Sequence, residues 1–171
     1  MSILRGFAKT ARDDEAARRL RAEIEEFNAE YCAALDENRI ADWPAFFTED
    51  AVYRITAREN ADADLPVGLV YCEGQGMLRD RALAIEKTSM FAPRYLLHQV
   101  SNIRILAIAG ETVTAQANYL VLQTLVDEKT TLHQAGRYFD RFHRAEGRLL
   151  LRERHCVYDT LLIDNSLVMP V

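Results

Sequence analysis

After Pro93 the hydrophobic period of this chain switches to two, and that switch limits what it can fold into. In the first strong element, before Pro93, apolar residues recur every three or four positions. Leu20, Ile24, Phe27, Tyr31 and Leu35 place one apolar stripe along a helix of residues 13–37. After Pro93 they recur every two. The segments 100–108, 112–125, 131–144 and 148–159 read as four long strands, parted by Ala109-Gly110-Glu111, Asp127-Glu128-Lys129 and Ala145-Glu146-Gly147. Consecutive strands with short turns predict an antiparallel meander. Helices followed by such a sheet predict an α+β architecture.

The remaining elements fit between these two halves. Asp13 and Asp14 suit the start of the long helix, where carboxylates meet free amides and the positive end of the dipole. Asp42 offers an N-cap for a short second helix with Pro44 in its first turn. Trp43, Phe46 and Phe47 are expected to plug one end of the core. A strand over 51–58, a polar loop over 59–66, a strand over 67–72 and a helix over 75–88 follow. Leu149-Leu150-Leu151 is apolar on both faces, which predicts cover by helices on one side and by something else, such as another subunit, on the other. Residues 1–12 are expected to be a flexible arm and 13–171 a single domain, large enough for a core without staples. This order of elements is that of an NTF2-like cone: a long N-terminal helix and two shorter helices packed on a curved antiparallel sheet, with a cavity at the open end.

Charge and composition exclude several partners. The net charge is −5 with both signs interspersed, so no basic patch is available for nucleic acid or an anionic membrane surface. No apolar run approaches the roughly 18 residues of a membrane span, and the N-terminus lacks the apolar core of a signal peptide. Cys32, Cys72 and Cys156 lie far apart with no CxxC, as expected of buried thiols in a cytoplasmic protein.

Metal chemistry finds no set of ligands in the sequence. A Rieske cluster needs Cys-x-His and Cys-x-x-His segments, and none of the three cysteines has a histidine at either offset. A mononuclear iron needs two histidines and a carboxylate on one face; His98, His133, His143 and His155 show no HxH, HxxxH or ExxH spacing. No metal, cofactor-binding or catalytic residue is therefore assigned. Nucleophilic catalysis lacks a GxSxG elbow, and His155 and Cys156, adjacent on one strand, point to opposite faces. Gly74-x-Gly76 lacks the third glycine of a dinucleotide fingerprint and reads as a helix entrance. An alternative is a stand-alone, cofactor-free lyase or isomerase using Asp50, Tyr53 or His98 in the cone pocket. Arg152 and Arg154, two apart, and Arg137 and Arg141, four apart, are expected to share strand faces, either solvated or at an interface.

Several motifs carry a resemblance. Trp43-Pro44-Ala45-Phe46-Phe47-Thr48-Glu49-Asp50 with Tyr53-Arg54, then Met77-Leu78-Arg79-Asp80-Arg81, then Arg94-Tyr95 with His98 and Asn102, run in order along the chain. Ala135-Gly136-Arg137-Tyr138-x-Asp140, the stretch Leu151-Arg152-Glu153-Arg154-x-Cys156-x-Tyr158-Asp159 and the tail Asn165-Ser166-Leu167-Val168-Met169-Pro170-Val171 complete the set. Together, from about residue 20 onward, the chain resembles the small (β) subunits of Rieske-type aromatic-ring-hydroxylating oxygenases. Arg58-Glu59-Asn60 and Leu65-Pro66 are most similar to small subunits of enzymes acting on aromatic carboxylates, such as salicylate 5-hydroxylase and terephthalate oxygenase. The resemblance implies a non-catalytic, structural role in an α3β3 oxidoreductase. A β trimer would support large (α) subunits that carry the Rieske [2Fe-2S] cluster and mononuclear Fe(II), with electrons supplied from NADH by a reductase.

Overall fold

The computed structural model describes residues 4–163 and 167–171, so Asn165 and Ser166 of the tail motif lie outside the described residues. Helix α1 spans Glu15–Asp36, with Asp14 as its N-cap accepting from the Ala17 amide at 3.0 Å. A 3₁₀ helix, Ile40–Phe46, follows. Strand β1 (Phe47–Ala57), the helical turn α2 (Arg58–Asp62), strand β2 (Val70–Glu73) and helix α3 (Gly74–Lys87) complete the first half. Strands β3 (Arg94–Ala109), β4 (Thr112–Leu125), β5 (Thr131–Ala145) and β6 (Arg148–Tyr158) form the meander. The sheet order is β2-β1-β6-β5-β4-β3.

Some expectations need correction. The sheet is not wholly antiparallel: β1 lies parallel to β6, with Tyr53 beside Arg154 and Ile55 beside Cys156. Asp42 does not cap the short helix; it sits inside it and pairs with Arg39 at 3.0 Å. The expected polar loop after β1 begins as the turn α2, and β1 and β3 start earlier than their apolar alternation suggested. The described part of the segment expected to be a flexible arm lies on the sheet. Phe7 is buried and meets Phe139 edge-on at 5.2 Å, while the Thr10 and Ala11 amides donate to the Leu106 carbonyl at 2.7 Å.

Bulges bend the sheet around α1. The register of β3 against β4 slips between Ser101 and Arg104, where Asn102 takes a left-handed φ of 54°. Asparagine tolerates that conformation better than most residues, and the extra residue increases local twist. On β6, Phe142 pairs with Leu151 but Arg141 pairs with Glu153, leaving Arg152 as the extra residue. That bulge reverses the in–out parity of β6. Arg152 and Arg154 therefore do not share a face: Arg152 is exposed and Arg154 is fully buried.

The core fills the concave side. Trp43, Phe47, Tyr31 and Tyr53 are buried, and Trp43 meets Phe47 and Tyr53 edge-on at 5.3 and 5.1 Å. Gln75, at the entrance of α3, donates to the Pro44 and Phe47 carbonyls at 2.7 and 2.9 Å and locks α3 against the 3₁₀ helix. Gly136 on β5 admits no side chain. A Cβ there would overlap the Val157 carbonyl oxygen and press on the Tyr119 hydroxyl at 2.8 Å. Gly136→Ala should therefore lower stability by about 1–3 kcal/mol. In urea unfolding the midpoint should fall with an unchanged slope; an unchanged midpoint would refute the close approach.

Candidate functional site: a filled cone and a bare sheet face

The sequence directs three kinds of side chain into the cone. Along α1 the stripe Ile24, Tyr31 and Leu35 is interrupted by Asn28, which is also buried. On β5 the inward parity runs through Gly136, Tyr138, Asp140 and Phe142. On β6 the bulge brings Arg154 and Cys156 inward. These converge on Arg154. Its Nε and Nη2 donate to the two Asp140 oxygens at 3.0 and 2.8 Å, and Nη2 also donates to Asn28 Oδ1 at 2.7 Å. The guanidinium lies between the rings of Tyr31 and Tyr138, at 4.3 and 4.1 Å from their centroids. Burial pushes the Asp140 carboxyl up against the pull of Arg154. The Tyr31, Tyr53 and Tyr138 hydroxyls are likewise held above their ordinary range by burial.

The tail closes the same space. The Tyr31 and Tyr53 hydroxyls donate to the main-chain oxygen of Val171 at 3.1 and 3.2 Å, and the Val171 amide donates back to Tyr53 at 2.9 Å. Met169 and Val171 are buried, and Arg81 holds the Val168 carbonyl at 2.9 Å. Where a hollow cone would keep a pocket, this one packs its own residues.

The three sequence-derived acid–base candidates are not brought together. Asp50 is exposed on the outer side of β1 and pairs with Arg152 at 3.1 Å. The Thr48 hydroxyl, with Arg152, holds its carboxyl below the usual range. Tyr53 is fully buried beneath Val171. His98 sits on β3, its buried ring facing Asp36 Oδ1 at 2.6 Å through Nδ1, while its amide donates to the same carboxylate at 3.0 Å. That carboxylate ties the C-terminal end of α1 to the sheet. Each candidate is explained by packing or pairing; His98 lines a cavity of about 220 Å³ with Glu25, Asn28 and Cys32, Asp50 lines a separate groove on the outer face, and among the described residues no two of the three share a cavity.

Cys156 points inward and His155 outward, as adjacent strand residues must. The His155 Nε2 meets the Thr56 hydroxyl at 3.0 Å, and burial with the nearby Arg54 charge pushes it down to about 3. Burial pushes the Cys32 thiol up to about 12, which disfavours the thiolate a metal would need. Among the described residues, no three His, Cys, Asp or Glu side chains form a group that could hold a metal ion.

The outer face of the sheet is divided. At one end it is charged: Glu153 bridges Arg54 and Arg141 at 2.9 and 2.5 Å, so Arg141 does sit on the face it was expected to share with Arg137. At the other end it is apolar. Leu97 pairs with Leu122, and Leu122 pairs with Leu132, across three neighbouring strands. Tyr95, Leu97 and Leu132 are 76%, 57% and 54% exposed. The Ala135 amide donates to the Thr160 hydroxyl at 2.9 Å, and Leu161 and Leu162, which follow it, are exposed. Patches of this kind on a folded chain mark contact surfaces. Leu150, the outward residue of the apolar triplet, is only half-buried.

A helix-backed curved sheet of this topology defines a SnoaL-like, NTF2-like domain, and the SnoaL-like domain family matches residues 16–155. The small subunit of anthranilate 1,2-dioxygenase from Burkholderia cepacia is 35% identical over 82% of this chain and 88% of its own length. A β subunit of the terminal oxygenase component of terephthalate 1,2-dioxygenase from Comamonas is 30% identical over 87% and 97%. Among solved structures, the β subunit of a proposed aromatic-ring-hydroxylating dioxygenase from Novosphingobium aromaticivorans superposes with a TM-score of 0.83 at 38% identity, covering 91% of this chain and 98% of that one. The chain belongs to the family of small subunits of aromatic-ring-hydroxylating dioxygenases.

Two outcomes follow from the buried groups. Asp140→Ala leaves Arg154 charged and uncompensated, and should lower stability by about 3–5 kcal/mol, whereas Asp140→Leu with Arg154→Met should recover most of that loss. Urea unfolding of the two variants checks it; equal losses in the single and the double variant would contradict it. For His155, an unfolded histidine titrates near about 6.5. Below that pH the unfolded chain binds a proton the folded chain excludes, so this contribution is complete above about 6.5 and is lost as pH falls toward about 3. The drop in thermal midpoint between about pH 7 and about pH 4.5 should be smaller in His155→Asn than in the parent chain. An equal drop would show that His155 is not the group responsible.

Proposed function

We propose that this chain is the non-catalytic small subunit of a multicomponent oxygenase acting on an aromatic carboxylate of the salicylate type. Its work is to hold large subunits in an α3β3 assembly in the cytoplasm. The Rieske cluster and the mononuclear iron belong to the large subunit; the residues of this chain do not fit either group. His98 is committed to Asp36, His155 to Thr56, and the cysteines are buried thiols. The observation that carries this reading is a cone filled by its own side chains beside a bare apolar sheet face. A chain built this way offers a broad contact surface. The aromatic-carboxylate class is supported by relatives whose names specify anthranilate, terephthalate and p-cumate.

The test is co-expression with a candidate oxygenase large subunit from the same source. Native mass spectrometry should show a hetero-oligomer with equal numbers of both chains. Leu97→Asp and Leu132→Asp, both at exposed positions, should weaken it at least tenfold while leaving the thermal midpoint within a few degrees. If the chains never co-purify, the subunit reading is wrong. If they co-purify and the patch variants bind as the parent does, this patch is not the contact.

A further inference from the structure

We infer that the arginine groove on the outer sheet face docks the acidic half of α1 from a second copy of this chain. The inference rests on the small-subunit reading and adds which surfaces of neighbouring copies meet. The groove holds about 530 Å³ and sets Arg54, Arg141 and Arg152 against only two carboxylates, Asp50 and Glu153. It is locally positive on a chain whose net charge is −5. Its positive charges outnumber its carboxylates. Among the described residues, Arg54 and Arg141 share the single carboxylate of Glu153, Arg141 also lies over the Phe7 ring at 4.8 Å, and the buried Arg54 Nε has no hydrogen-bond partner. Arg152 pairs with Asp50, and both are more than half exposed.

The complementary surface is on the same molecule. In the second half of α1, Glu25, Glu26 and Glu30 are exposed with no basic partner among the described residues, whereas Glu23 is paired with Arg144 at 2.6 Å. Glu26 and Glu30 stand four apart, where like charges destabilise a helix unless something offsets them. Helix α1 packs on the concave side of the sheet, through Asn28 to Arg154 and Asp36 to His98, while the groove lies on the convex side. One copy cannot bring its own helix to its own groove, so a second must supply it. Because two different patches meet, the contact is head-to-tail, which gives a ring where the rotation between copies closes and an open filament where it does not. A free small anion would gain little here, since an isolated exposed ion pair contributes almost nothing. A helix presenting three carboxylates together, rimmed by surface that excludes water, is favoured instead.

The experiment is a charge swap in the full chain, read by sedimentation velocity over a concentration series and by capture of the large subunit. Arg152→Glu alone, and Glu26→Arg with Glu30→Arg, should each weaken self-association at least tenfold; combining all three should bring it back to within about threefold of the parent. Circular dichroism of each variant confirms folding. A parent chain that stays monomeric at every concentration, reversals without effect, or a combination no better than its weaker parent would each overturn the inference. Capture of the large subunit in those cases leaves the small-subunit reading standing; failure of the parent chain to capture it counts against that reading instead.

Discussion

The buried pair of Arg154 and Asp140, clasped between Tyr31 and Tyr138, is the constraint on which the rest of the structure depends. Taking two charges out of water is expensive, and a well-packed apolar group in the same space would often be as stable. What the pair supplies is register. A slip of one residue along β6 would swing Arg154 out to solvent and bring Glu153 into the aromatic interior, leaving Asp140 without its counterion. The pair thus joins β5, β6 and, through Asn28, α1 in one arrangement.

That arrangement decides where function can reside. With Arg154 stacked between two tyrosines and the tail residue Val171 bonded to two tyrosine hydroxyls, the concave side has become core. The groups that a hollow cone would use for proton transfer are here spent on cohesion. The convex side is different: one end holds arginines that outnumber their carboxylates, the other a run of leucines joined across β3, β4 and β5, exposed at Leu97 and Leu132 and half-buried at Leu122. Surface chemistry of that sort supports the proposed role in assembly.

Much of this was legible in the sequence, because period is a local property. The 3.6 repeat through Ile24, Tyr31 and Leu35 and the alternation after Pro93 gave α1 and the meander, and the aromatic cluster at Trp43 was rightly placed in the core. The Arg154 network was not found, since a bulge at Arg152 breaks the two-residue parity from which its face was read. Two signals did point to it: Asn28 interrupting an apolar stripe, and Asp140 standing in the same parity as Tyr138 and Phe142. The parallel pairing of β1 with β6 was equally hidden, because strand order depends on tertiary contacts that no local pattern encodes.

The central claim is that this chain contributes assembly and not chemistry. The most direct measurement is iron, labile sulfide and turnover on the reconstituted oxygenase, repeated on its two chains after separation. The account predicts that iron and sulfide remain with the large subunit, that the separated small chain holds neither and turns over nothing, and that recombining the chains restores activity. Iron bound by the separated small chain, or turnover by it alone, would contradict the account.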